Sequence, residues 1–264
     1  MDLKLKDKTA LVTGSTAGIG YAIAQSLAAE GAKVIVTGRT EERVNAAIEK
    51  IKSQTGNSNI SGSVADFGKV LQVNALIRQH TDVNILVNNV GIAEPKDFKD
   101  ITDDDWMHIY EVNVLSGVRL SRAYFDNMIK SNWGRIIFIS SESAVQIPPE
   151  MIQYGVSKTA LISLSRGLAE LTVGTAVTVN TVLPGPTSTE AIKQFMKATA
   201  QQQGISDAEM EKEFFNNMRA TSILKRFINP EEIAHMVTFI ASPLSSATNG
   251  ATLRADGGVI KSAF

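Results

Sequence analysis

The sequence predicts a single α/β domain: a doubly wound parallel sheet of about seven strands with helices on both faces. Three observations predict it. Short apolar runs alternate with stretches of helical periodicity along all 264 residues, the pattern of strand–helix–strand units. A glycine-rich loop stands directly between the first apolar run and the first helical stretch. No linker, repeat or low-complexity segment divides the chain, so residues 1–264 read as one domain.

Composition narrows the function classes. Lys and Arg total 26 against 27 for Asp and Glu, which gives no reason to expect a nucleic-acid or polyanion partner. The absence of cysteine excludes disulfides, thiolate metal sites and a cysteine nucleophile. His80, His108 and His235 are scattered and match no metal-ligand spacing, so no metal site is expected. Residues 1–8 are charged and lack an apolar signal core, and no apolar run reaches the ~18 residues of a membrane span. A soluble cytoplasmic protein, with no membrane association, is the expectation.

The first strand is residues 9–13, and Gly14-Ser15-Thr16-Ala17-Gly18-Ile19-Gly20 follows it at once. A helix over 21–30 comes next, with Ile23 and Leu27 at i, i+4 and Gly31 at its end. A helix amino terminus offers unpaired N–H groups and a positive dipole end, a natural seat for phosphate. Gly14, Gly18 and Gly20 let the backbone turn and approach a pyrophosphate. This points to a dinucleotide. The second strand, 33–37, ends at Gly38-Arg39-Thr40, with one guanidinium and no acid. An arginine here accommodates a ribose 2′-phosphate, which favours NADP(H) over NAD(H). Alternatively, Arg39 pairs with Glu41 or Glu42.

Thr40 caps a helix running to about residue 53. A third strand over 60–65 ends at Asp66-Phe67, where Asp66 either meets the adenine amine or caps a helix over 68–80. A fourth strand, 84–87, leads to Asn88-Asn89-Val90-Gly91, amides that can hold a cofactor or tie strands together. Thr102 and Asp105 form a capping box rather than a metal site, opening one long helix over 103–131 that contains Asn113. The fifth strand ends at Ser140-Ser141, the Tyr154 helix runs to about 173, and a sixth strand covers 176–182. Pro184 breaks that strand. Residues 190–222 read as two helical pieces joined near Gly204, either a substrate lid or simple surface packing. A helix starting at Pro230 and a seventh strand over 249–253 complete the chain.

Tyr154 and Lys158 lie at i, i+4 on one helix, so an ammonium can sit beside a phenol. A neighbouring cation lowers a phenol's pKa and fits it to exchange protons with an alcohol or carbonyl. Ser141, at a strand end next to that helix, can hold a hydroxyl nearby.

Taken together, these motifs resemble the classical short-chain dehydrogenases/reductases over nearly the whole chain. The matches are Thr13 to Gly20, Asn88-Asn89-Val90-Gly91 with valine where the family usually has alanine, and Asn113, Ser141, Tyr154 and Lys158 at the family's relative spacing. The resemblance implies an NAD(P)-dependent oxidoreductase that interconverts a carbonyl and an alcohol. In that mechanism Tyr154 is the acid or base and Ser141 stabilises the carbonyl oxygen. Lys158 lowers the tyrosine pKa and binds the nicotinamide ribose, and Asn113 holds a proton-relay water. Backbone near Ile19 takes the pyrophosphate, while Pro184, Gly185, Thr187 and Thr189 close over the nicotinamide. It also implies a homotetramer or homodimer packed through the helices around Asn113 and Tyr154. A small or medium carbonyl or alcohol is the expected substrate, with pocket candidates Glu94, Ser143, Val145, Ile147, Met151 and Phe195. Glu94 and Glu142 can meet a polar or cationic substrate or be plain surface acids. One alternative is a 3-oxoacyl-[acyl-carrier-protein] reductase, although only scattered cations such as Lys130 and Arg135 were expected near the site to meet an acidic carrier. Another is a non-catalytic NADP(H)-sensing binding protein.

Overall fold

The computed structural model describes residues 1–263. Its seven strands form one sheet in the order β3-β2-β1-β4-β5-β6-β7, every neighbour parallel. The strands are β1 (Thr9–Val12), β2 (Lys33–Gly38), β3 (Ile60–Val64), β4 (Ile85–Asn88), β5 (Gly134–Ile139), β6 (Val177–Pro184) and β7 (Thr252–Ala255). β4, β5 and β6 are buried at every residue, as a parallel sheet covered on both faces requires. This is why their sequences are continuous apolar runs rather than alternating ones.

The helices are α1 (Gly18–Ala29), α2 (Glu41–Thr55), α3 (Val70–Gln79), α4 (Asp103–Tyr110), α5 (Ser116–Lys130), α6 (Ile152–Glu170), α7 (Glu190–Gln203), α8 (Asp207–Glu213) and α9 (Pro230–Ala241). Two cores flank the sheet. One packs α1, α2 and α9 against it through Ile23, Leu27, Ile51 and Val237, and the other packs α3, α5 and α6 through Leu76, Leu120, Tyr124 and Leu161. The chain order reverses between β1 and β4. Ligands of open α/β sheets bind at such a switch point, outside the carboxyl ends of the strands.

Several expectations change. α3 begins at Val70, two residues late, because Asp66 closes a tight turn by accepting the Gly68 N–H at 3.0 Å and so does not cap the helix. β6 runs through Pro184, which pairs with Ala255 at the strand's last position, where a missing N–H costs least. The single helix over 103–131 is interrupted by a π-helical turn, Glu111–Leu115, centred on Asn113. The Thr102–Asp105 capping box is present.

Candidate functional site

The glycine loop is built by side chains that bond its own backbone. Ser15 is buried; its Oγ donates to the Val12 carbonyl at 2.7 Å and accepts from the Thr37 N–H at 2.9 Å. Asn89 donates to the Thr13 carbonyl at 2.8 Å. Ser15 and Asn89 therefore tie β1 to β2 and β4. Phe67 is likewise a core residue, 4% exposed. Gly14 and Gly18 have φ of +63° and +57°, which favour glycine. A Cβ at Gly20 would lie 2.4 Å from the Gly14 carbonyl oxygen, and one at Gly38 would lie 2.5 Å from a Thr16 methyl.

What this leaves open is backbone. Ala17 caps α1 with no side-chain hydrogen bond, so the first N–H groups of the helix, at Gly18, Ile19 and Gly20, face outward without partners. At the end of β2, Arg39 is exposed, and its guanidinium makes no ion pair or hydrogen bond among the described residues. The pairing with Glu41 or Glu42 does not form. A bare helix amino terminus, a cradle that a Cβ would fill and an unpaired guanidinium fit a dinucleotide carrying an extra phosphate. Thr189 closes this side, with its methyl 3.2 Å from the Cβ position of Gly18. Gly185 is held against the Asp256 backbone, and Thr187 Oγ1 donates to the Gly185 carbonyl at 2.8 Å.

Across the switch point lie the Ser141, Tyr154, Lys158 and Asn113 side chains. β5 ends at Ile139, and Ser141 then starts a 3₁₀ turn, Glu142–Ala144, by accepting the Ser143 N–H at 3.1 Å. Tyr154 lies in the first turn of α6 and Lys158 one turn on. The Ser141 hydroxyl lies near enough to the Tyr154 phenol to favour its ionised form. Lys158 is 3% exposed; its Nζ donates to the Ile139 carbonyl at 2.9 Å and lies 2.9 Å from the Cβ position of Gly91. The π turn points Asn113 inward. Its amide nitrogen donates to the Ile92 carbonyl at 3.0 Å and to Ser157 Oγ at 2.9 Å, and its oxygen accepts the Ile92 N–H at 2.8 Å. The amide thus clamps Ile92, in the segment after β4, and holds Ser157 on α6.

The electrostatics also differ from expectation. Desolvation pushes the Tyr154 pKa up; the Ser141 hydroxyl opposes it, Glu142 adds to it and Arg219 opposes it. Burial pulls Lys158 down to about 8. The ammonium does not lower the phenol, because Nζ turns to the Ile139 carbonyl and sits 5.7 Å from the ring centroid. Two neutral forms are favoured together.

A cavity of about 530 Å³ lies between the Gln146–Glu150 segment before α6 and residues 217–219, lined by Ile147, Pro148, Glu150, Asn217, Met218 and Arg219. Val145 and Phe195 are exposed, and Glu94 meets α6 only through its carbonyl, which accepts from Gln153 at 2.9 Å. Glu142 is no surface acid: at 4% exposure it bonds Arg219 at 2.8 Å. Sequence reading passed over Arg219, which lies 77 positions from its partner with no local signal. Arg135 is also buried, bonded to the Ser242 and Ala176 carbonyls at the amino end of β5, far from the site. No helix among the described residues is long and apolar enough to cross a membrane.

This arrangement has relatives. A family model described as enoyl-(acyl carrier protein) reductase matches residues 14–260. The chain belongs to the short-chain dehydrogenase/reductase family. It is 51% identical over 264 residues to an oxidoreductase of Bacillus subtilis, YvaG, covering 100% of both chains. It is 32% identical over 262 residues to the 3-oxoacyl-[acyl-carrier-protein] reductase FabG of Aquifex aeolicus, covering 98% of this chain and 100% of that one. Among solved structures, L-sorbose reductase from Gluconobacter frateurii, complexed with NADPH and L-sorbose, matches with a TM-score of 0.94 at 28% identity, covering 99% and 100%. The chain is thus an oxidoreductase of this family.

Proposed function

We propose that the protein is an NADP(H)-dependent carbonyl reductase acting on a small or medium carbonyl compound, with Tyr154 as the proton donor. The observation that carries this reading is the joined placement of Ser141, Tyr154 and Lys158 at the carboxyl end of β5, across from a bare helix amino terminus. Gly18 to Gly20 would hold the pyrophosphate through their N–H groups, Arg39 the 2′-phosphate, and Lys158 the nicotinamide ribose. The nicotinamide, when bound, supplies the hydride.

The residues then do the rest. A phenol pushed above its ordinary value is protonated at neutral pH, the form that donates to a carbonyl oxygen as charge develops on it. The Ser141 hydroxyl stabilises that oxygen and, by bonding the phenolate, eases the proton's departure. Lys158, held near pH 8 by burial, is poised to hand a proton back. Asn113 fixes the segment carrying Gly91 and Ile92 against Lys158. The 190–222 segment covers the cavity as a lid tethered through Arg219. Association into a homo-oligomer would cover Met107, Tyr110 and Val156, which are exposed on α4 and α6.

An acyl-carrier substrate is the second reading, favoured by the similarity to FabG. The loss of Arg135 as a surface cation weakens it, since an acidic carrier needs a basic face. The test is a panel of ketones, aldehydes and an acyl-carrier thioester, read by NADPH absorbance. Turnover of free carbonyl compounds is expected. Turnover of the thioester alone would replace the first reading with the second. Cofactor binding without turnover of any compound would leave a dinucleotide-sensing protein.

A further inference from the structure

One buried ion pair stands beside the proton-transfer groups without belonging to them. Glu142 follows Ser141 directly, and Arg219 reaches it from the 190–222 segment, 77 positions away. Arg219 Nε donates to Glu142 Oε1 at 2.8 Å, and its Nη1 donates to the Met218 carbonyl at 2.9 Å. Both residues are buried. Stability does not account for such a pair. Apolar residues of the same volume generally serve a core as well or better, and here Glu142 Oε2 is buried with no hydrogen-bond partner among the described residues. A costly buried charge next to titratable groups points to a use.

The geometry joins the pair to those groups from both sides. Glu142 opens the 3₁₀ turn that Ser141 caps, and that turn is pressed onto the start of α6. Thr159 Oγ1 donates to the Ala144 carbonyl at 2.6 Å, and a Cβ at Gly155, next to Tyr154, would lie 2.9 Å from the Ser143 carbonyl oxygen. On the other side, Arg219 follows the π-helical turn Phe214–Met218, and its own N–H donates to the Phe214 carbonyl at 3.0 Å. Just beyond it, Thr221 Oγ1 donates to the Val259 carbonyl and the Ile223 N–H to the Gly257 carbonyl. The guanidinium is therefore held on a fixed stretch of chain.

Charged groups come to this region from each element packed there. Lys158 comes from α6, Glu142 from the turn after β5 and Arg219 from the 190–222 segment. Glu150, before α6, lies 4.0 Å from Arg219, and Asp256, after β7, adds a charge that Glu142 feels. In the segment after β4, Glu94 is exposed and Lys96 is paired with Asp105. Desolvation and the Ser141 hydroxyl act most strongly on the phenol; next, Glu142 pushes its pKa up and Arg219 pulls it down. The two charges oppose each other there.

We propose that Glu142 and Arg219 are a positioning pair for the proton transfer: they fix the Ser141 turn against α6 and balance the charge beside Tyr154, which ties the 190–222 segment to the catalytic groups. This rests on the carbonyl-reductase reading.

The test reads proton release at Tyr154 in two ways. One is the tyrosinate absorbance of each variant titrated with base, less that of the same variant carrying Tyr154→Phe. The other is the basic limb of kcat/KM for NADPH-dependent reduction of the best substrate in the carbonyl panel. Glu142→Gln leaves the guanidinium unopposed, so both midpoints should move down by about half a unit or more. Arg219→Gln leaves the carboxylate unopposed and should move them up. Glu142→Leu with Arg219→Met removes both charges and should return the midpoints to within about 0.3 unit of wild type, with kcat still lowered because the Ser141 turn has lost its tether. Circular dichroism checks folding, and either single variant that folds carries the sign. Unmoved midpoints in the single variants, or shifts of the same sign in both, overturn the inference alone. Loss of folding in both single variants beside a double variant like wild type assigns the pair to structure and overturns it too. No turnover of any carbonyl overturns the carbonyl-reductase reading beneath it as well.

Discussion

At the β1–β2 end of the sheet the side chains bond the loop's own backbone and leave the first N–H groups of α1 bare. At the β5–α6 end buried titratable side chains gather instead. Ser15, Thr37 and Asn89 close around the glycine loop, so recognition there falls to N–H groups and to space that a single methyl would fill. Beyond Ile139 the buried groups are titratable: Lys158 down to about 8, Tyr154 pushed up, Glu142 pushed up chiefly by desolvation. On the proposed reading, the difference separates an end that holds a ligand from one that moves a proton. A rigid, self-satisfied loop loses little entropy on binding, whereas perturbed groups collect where chemistry needs them.

The comparison breaks most visibly at Lys158 and Ser141. Lys158→Met should lower kcat about 10²–10³-fold and raise the cofactor Kd, while Ser141→Ala should lower kcat similarly with the Kd unchanged, as single oxyanion donors do. Steady-state kinetics and a fluorescence titration check both; equal effects of the two on Kd would contradict the separation of roles. At the other end, Arg39→Ala should weaken NADPH binding about 30-fold, roughly 2 kcal/mol for a charge-assisted contact, and leave NADH within about threefold. Tighter NADH than NADPH binding in the wild type would remove the role given to Arg39.

The loop end is expected to be brittle. Gly20→Ala should destabilise by about 1–3 kcal/mol in urea unfolding, because its Cβ meets the Gly14 carbonyl oxygen at 2.4 Å. Gly167→Ala, on α6 with nothing within 4 Å of the added Cβ, should stabilise by about 0.5–1 kcal/mol. The catalytic end carries a pH signature instead. Lys158 binds its proton more weakly folded than unfolded, so the unfolded state holds more protons between the folded value of about 8 and the ordinary 10.5. Stability therefore rises with pH from about 8. Tyr154 works the other way only above 10, where the unfolded phenol ionises first. Between 8 and 10 the stability of wild type minus Lys158→Met should climb; a flat difference would mean that Lys158 is not desolvated.

Much of this was legible in sequence because its signals are local. The seven apolar runs, the glycine triplet, Thr102 with Asp105, and Tyr154 with Lys158 each sit within one turn or one strand. What sequence concealed depends on distance. The π turn at Asn113 is set by Ile92 and Ser157, neither of them a helical neighbour. Ser15 belongs to the glycine motif, yet its hydroxyl bonds β2. Sequence leaves Glu142 as either a substrate contact or a surface acid, because its partner Arg219 is far away in the chain. The i, i+4 spacing of Tyr154 and Lys158 says nothing about burial, which pushes the phenol up while the ammonium turns to the Ile139 carbonyl.

The central claim is that the β5–α6 end moves a proton while the β1–β2 end holds the cofactor. Tyr154→Phe tests it most directly, with NADPH titration and carbonyl reduction measured on the same preparation. The account predicts an NADPH Kd within about threefold of wild type and a loss of kcat of about 10³-fold or more. Retained turnover would show that Tyr154 is not the proton donor, and lost NADPH binding would show that the two ends are not separable.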